Sequence, residues 1–146
     1  CALTTIRDAS RFLDKAEVEL WLLLVVTPIV FELPVPTMEA DEPVVAEILE
    51  HARYVAEGEG FRVADAQHVL DYNPAVAICN YANRTGMELI VIGSHGYRGL
   101  TKVIMGSVGE QVIAQASQPV VLIRNDANHT LEISHFDNVA LKSISR

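Results

Sequence analysis

The sequence predicts a doubly wound α/β domain, and three observations predict it. Short apolar runs alternate with amphipathic stretches, the connections between them are mostly short, and Pro, Asn and Gly cluster at the boundaries. Helical crossovers between neighbouring strands make the sheet mostly parallel. The 146 residues suffice for one such domain. Half of them are hydrophobic and 21% are charged, which excludes a disordered chain. Aromatics make up only 6%, so the core is expected to be built from Val, Ile, Leu and Ala.

Taken in order, residues 3–15 place Leu3, Ile6, Ala9 and Leu13 three to four apart, which predicts an amphipathic helix. Leu20–Val26 is a continuous apolar run stopped by Thr27-Pro28, as expected of an interior parallel strand. Residues 28–42 carry Pro28, Pro34 and Pro36 and read as a loop. Asp41-Glu42-Pro43 opens a helix, with acids at its positive end and Val45, Ile48, Leu49, Ala52, Val55 and Ala56 as its buried stripe. Gly58 and Gly60 close it. Phe61–Leu70 is a second strand, less apolar and therefore nearer an edge.

Asn73-Pro74 predicts the next helix start, with Asn73 as cap and Pro74 at the first helical position. Val76, Ile78, Cys79 and Ala82 lie on this helix and Gly86 ends it. Leu89–Ile92 is another buried strand. Ser107-Val108-Gly109-Glu110 fits a capping box, and the helix it starts reaches about Ala116. Pro119–Arg124 is the last clear strand, followed by a polar linker over 125–135.

Charge and cysteine content narrow the function classes. Nineteen acids against eleven bases leave a net charge of −8, which disfavours nucleic-acid and anionic-membrane partners. Cys1 and Cys79 are too few for a disulfide framework, and Cys79 reads as a small apolar residue on a buried helix face. The longest apolar run is too short to span a bilayer and no signal peptide opens the chain, so a cytoplasmic location is expected. Asn83-Arg84-Thr85 and Asn128-His129-Thr130 match the glycosylation pattern only by chance on that reading.

The chemistry concentrates in the loop after the Leu89–Ile92 strand. Gly93 and Gly96 end the strand, and Gly106 precedes the helix that begins near Ser107. Glycine lets backbone approach an anion closely, and the free N–H groups at a helix start favour negative charge. The loop lies at the carboxyl end of a parallel strand, where open α/β sheets bind ligands. Its spacing is neither that of a Walker loop nor of the dinucleotide fingerprint. A capped helix after a turn, with no ligand, accounts equally well for these residue types taken alone.

The spacing Gly-x2-Gly-x9-Gly-Ser, as Gly93, Gly96, Gly106 and Ser107, resembles the nucleotide-binding motif of the universal stress protein family. Met87–Arg124 resembles the family almost continuously, and Asn73-Pro74 stands where the family often has Asp-Pro. The resemblance implies a five-stranded sheet of the adenine-nucleotide alpha-hydrolase-like type in the order 3-2-1-4-5. It also implies a homodimer and an adenine nucleotide (ATP, or AMP or ADP), with Mg2+ as an optional companion. Carried over by position, Gly93 and Gly96 approach the ribose and phosphates, and Gly106, Ser107 and Val108 hold the phosphates. Ile92 and Val25 flank the nucleoside, and His95 either reaches a phosphate or is a solvated loop histidine.

The sequence also departs from the family. The usual opening strand and its Asp-x-Ser loop are missing ahead of the first helix, and Asp8 reads as a helix-surface acid. The expected organisation is a universal stress protein domain over 1–124 and a linker with a C-terminal segment over 125–146. Within that segment Asn138-Val139-Ala140-Leu141 resembles the missing strand, so 137–144 is expected to fill the central slot, from the same chain or a partner. The alternative is a tail outside the sheet.

The expected function is a nucleotide-binding module of stress response or signalling that acts by binding rather than turnover. The alternatives are a dimeric scaffold without nucleotide and a weak ATPase. No catalytic residue is assigned: Ser94 and His95 are adjacent, Gly106-Ser107-Val108-Gly109 lacks the nucleophile-elbow spacing, and no acid is placed to activate a water. No metal site is assigned either, His129 and His135 being too isolated in the polar tail. The apolar run Pro119–Arg124 ends the sheet and is the expected dimer edge.

Overall fold

The computed structural model describes residues 2–28, 42–93, 107–123 and 139–143. Its elements are α1 (Ala2–Ala9), β1 (Glu19–Val26), α2 (Glu42–Gly58), β2 (Arg62–Leu70), α3 (Pro74–Arg84), β3 (Leu89–Gly93), α4 (Ser107–Gln115), β4 (Val120–Ile123) and β5 (Val139–Ser143). The five strands form one sheet in the order β2-β1-β5-β3-β4. The pairs β1–β2 and β3–β4 are parallel, and β5 runs antiparallel to both of its neighbours.

Residue alternation along the strands divides the core between the two faces of the sheet. Leu20 and Leu22 of β1, Val91 of β3 and Ile123 of β4 pack with Ile6 and Ala9 of α1 and with Ala52, Val55 and Ala56 of α2. On the opposite face Leu23, Val25, Ile90 and Ile92 pack against Ala75, Ile78, Cys79 and Ala82 of α3 and Val112 of α4. β1 is buried on both faces, as its unbroken apolar run requires, whereas β2 has no fully buried residue and lies at an edge. The α2 stripe is buried at Val45, Leu49, Ala52, Val55 and Ala56, with Ile48 half-buried beside it.

Local signals place the helix ends. The Asn73 side chain accepts from the Val76 N–H at 3.2 Å and Pro74 opens α3, so one orphan donor of the first turn is satisfied. After α3 the chain turns through Gly86 at φ 65°, and after α2 through Gly60 at φ 94°, conformations that L side chains rarely adopt.

One local expectation needs correction. The first helix ends at Ala9 instead of running to residue 15. The Ser10 hydroxyl donates to the Arg7 carbonyl at 2.7 Å, competing with the backbone ladder, and the chain continues as turns in which Arg11 N–H donates to the Asp8 carbonyl. α4 starts at Ser107, where the sequence places the helix start. Asp8 lies on α1 as read, but partly buried, with its side chain 24% exposed and the Arg11 guanidinium at 3.4 Å.

The central slot holds β5, but not in the direction of the strand it resembles. Leu20–Leu24 of β1 pair with Ser143–Val139, and Leu89–Val91 of β3 pair with Ser143–Leu141, both antiparallel. A strand standing in for the family's opening strand in the same sense would run parallel. The antiparallel direction suits the connectivity. β4 leaves the sheet at the carboxyl ends of the parallel strands, so a return into the slot from that same edge is antiparallel and needs no crossover.

Candidate functional site at the carboxyl edge of the sheet

Parallel strands and returning helices put several helix starts at one edge. β1, β2 and β3 all end there, and α3, which follows β2, and α4, which precedes β4, both begin there. The positive ends of these helices therefore face the rim at which open α/β sheets hold ligands.

β3 reaches this rim at Gly93, in register with Ile123 of β4. Ile92 and Val25 are 7% and 3% exposed and belong to the same apolar cluster, packed beneath α3 and α4. α4 is seated by Val112, which is fully buried, by the buried Gly109 and by Val108, which packs partly against that cluster. Ser107 and Glu110 remain exposed on its first turn. The structure thus brings Val25, Ile92, Gly93, Ser107 and Val108 to one end of the sheet. His95, Gly96 and Gly106 lie outside the described residues.

Sequence reasoning did not single out the neighbouring end of β2. There His68 Nε2 stands 3.8 Å from Glu42 Oε1 at the start of α2. The Asp71 N–H donates to the Val26 carbonyl at 3.0 Å, and its carboxylate accepts from the Asn73 N–H at 2.8 Å. Tyr72 beside them is 70% exposed. The available signal was position: these residues close a strand immediately before an Asn-Pro helix start.

Behind the rim, burial raises the Cys79 thiol above its ordinary range. The Tyr81 phenol is raised as well, by burial first and by the Asp65 carboxylate second, against an opposing pull from Arg84. Both protons are held by the core of α3, away from the exposed first turn of α4, so neither group is a ready base at neutral pH. Among the described residues no group of three or more His, Cys, Asp or Glu side chains is arranged to hold a metal ion, and no helix is long and apolar enough to cross a membrane.

Fold and rim together define a doubly wound α/β domain whose rim is built from a glycine-ended strand and a helix start. The chain belongs to the universal stress protein family, whose pattern matches residues 1–124. Universal stress protein YxiE of Bacillus subtilis is 35% identical over 78 residues, which are 53% of this chain and 51% of that protein. The chain spans about half the length of the curated relatives it matches. A universal stress protein structure from Archaeoglobus fulgidus superposes with a TM-score of 0.61 at 26% identity, covering 84% of this chain and 88% of that one. The A. fulgidus protein solved in complex with dAMP superposes with a TM-score of 0.53 at 23% identity, covering 84% and 86%.

Proposed function

We propose that this chain binds an adenine nucleotide, ATP in the first instance, at the carboxyl edge between β1, β3 and α4, and acts in stress response or signalling by binding rather than turnover. The observation that carries the reading is that Gly93 ends β3 and Ser107 opens the exposed first turn of α4 at the same edge of the sheet. Free N–H groups of a helix start suit a phosphate, and the glycine spacing across 93–107 is that of the family's nucleotide motif. The dAMP complex of the A. fulgidus relative supports an adenine nucleotide at a fold of this kind. In this reading Gly93, Gly96, Gly106, Ser107, Val108 and His95 serve the ribose and phosphates, and Val25 and Ile92 serve the nucleoside side.

The proposal extends to a cytoplasmic homodimer paired through the β4 edge, with residues 1–124 as the family domain and 125–146 as its appended segment. A second reading, a scaffold without nucleotide, is favoured by one observation. β5 enters the slot at the rim, where the family's opening strand would leave it. Affinity for ATP is accordingly expected to be weaker than the glycine motif alone suggests.

Mass spectrometry of the purified protein after denaturation separates the two readings, because retained AMP, ADP or ATP is seen directly. Titration with ATP then places the site. Gly106→Val is expected to remove binding while unfolding stays cooperative, and unchanged affinity in that variant refutes the placement.

A further inference from the structure

We propose that Tyr72 stacks on the base of the bound nucleotide and sets a preference for purine over pyrimidine, an assignment that rests on the nucleotide reading above.

Tyr72 is tied to the strand end already placed on the nucleoside side. Val25 pairs in register with Val69, and both belong to the apolar cluster beneath α3 and α4. One residue beyond Val25, the Val26 carbonyl accepts the Asp71 N–H at 3.0 Å, which bridges the end of β1 to the residue before Tyr72. On the other side Asn73 is held as well: its N–H donates to the Asp71 carboxylate at 2.8 Å, and its side chain caps α3. Tyr72 therefore stands on a fixed backbone at the rim and is 70% exposed.

Among the described residues Phe12 and Tyr54 are the other exposed aromatics, and both lie away from the rim. Phe12 belongs to the turns ahead of β1, at the opposite edge, and Tyr54 lies well along α2. A tyrosine ring is rigid and has only two side-chain torsions, so stacking it on a ligand costs little ordering entropy. Every base has a π-face to stack on, and a purine offers more of it than a pyrimidine.

Charge decides which end of a nucleotide comes here. The Asp71 and Glu42 carboxylates stand at the end of β2, with His68 3.8 Å from Glu42, so a triphosphate is repelled while a neutral base is not. The start of α3 also has few donors to offer a phosphate. Pro74 has none, and the Val76 N–H is taken by the Asn73 side chain. The phosphates accordingly belong at α4 and the base at β2. In the strand order β2-β1-β5-β3 the ends of β2 and β3 are three spacings apart, ~14 Å at ~4.8 Å each. An extended nucleoside triphosphate covers that span.

The test is calorimetric titration of the whole chain with ATP, CTP and tripolyphosphate, in the parent, in Tyr72→Ala and in Tyr72→Phe. Tyr72→Ala is expected to lose roughly tenfold in ATP affinity, with Tyr72→Phe close to the parent and tripolyphosphate affinity equal in all three. The preference for ATP over CTP should shrink in Tyr72→Ala alone. Because Tyr72 is exposed, both variants should unfold in urea as cooperatively as the parent. Unchanged ATP affinity, or an unchanged ratio of ATP to CTP affinity, in Tyr72→Ala overturns the proposal. So does an equal loss for tripolyphosphate, or a Tyr72→Phe chain that binds ATP as weakly as Tyr72→Ala. Each of these results leaves nucleotide binding itself standing. A parent chain that binds neither ATP nor tripolyphosphate overturns the nucleotide reading and the role of Tyr72 together.

Discussion

The two edges of the sheet are built on opposite plans. β2 is nine residues long, and its register against β1 shifts between Leu20 and Trp21, where Val63 and Asp65 pair and Ala64 is passed over. Side chains take up backbone groups along it: the Arg53 guanidinium donates to the Val63 carbonyl at 3.1 Å, and Asp65 accepts from the Ala66 N–H at 2.8 Å and from Gln67 at 2.6 Å. Arg62 closes its start on Glu19 at 2.9 Å. β4 has only four residues, Val-Val-Leu-Ile, without a charged or bulged position. A bulge, charges and occupied backbone groups deter a strand from pairing with another chain, and an apolar edge invites it. Among the described residues, one edge is closed by its own neighbours and no side chain closes the other in the same way.

That contrast can be broken most directly at β4. Val121→Lys brings like charges together across a paired edge and is expected to weaken self-association by about 3 kcal/mol, roughly a hundredfold in Kd. Sedimentation velocity across micromolar concentrations checks it, and an unchanged dimer, or no dimer in the parent, removes β4 from the assembly. The next largest effect belongs to β2. Arg53→Ala with Asp65→Ala frees the Val63 carbonyl and the Ala66 N–H, so about 2 kcal/mol of stability should be lost and light scattering on storage should rise. If scattering stays at the parent level, those side chains do not guard the edge.

Asn73→Ala sharpens the same comparison from outside both edges. Loss of the cap on α3 is expected to cost about 1 kcal/mol in urea unfolding. It should leave scattering and self-association unchanged, which shows that reduced stability alone does not open an edge. The smallest effect is electrostatic. Tyr81 is held above its ordinary value of 10.0, so the folded state binds the phenolic proton more tightly than the unfolded state does. The resulting stability is fully present below pH 10 and is lost as pH rises through the folded value. Asp65→Ala removes one of the two causes, so ultraviolet titration should find Tyr81 ionising at lower pH than in the parent, though still above the ordinary range.

Much of this was legible in short windows of sequence. The unbroken Leu20–Val26 run marked a strand buried on both faces, the weaker Phe61–Leu70 run marked an edge, and Asn73-Pro74 marked a helix start to the residue. Each depends on residues within a few positions of one another. At the rim, Gly93 and the α4 start at Ser107 were likewise visible as spacing and residue type, whereas His68, Asp71 and Tyr72 carried no local pattern that set them apart. The first helix was read too long because the apolar spacing continues to Leu13 while the Ser10 hydroxyl draws the backbone out of its ladder.

By itself the sequence determined the fold class, the alternation of elements and the place of the glycine motif after a buried strand, because period, caps and turns act locally. Only the tertiary structure decided the direction of β5 and the closing of the β2 edge. A strand carries the same apolar pattern read in either direction, so nothing in Val139–Ser143 says whether it runs with or against β1; only its pairing with β1 and β3 does. Arg53 likewise reaches Val63 only because α2 lies against β2, a contact that exists once the helix has packed. Pairing partners and packing are relations between distant segments, and no window of the sequence contains both halves of them.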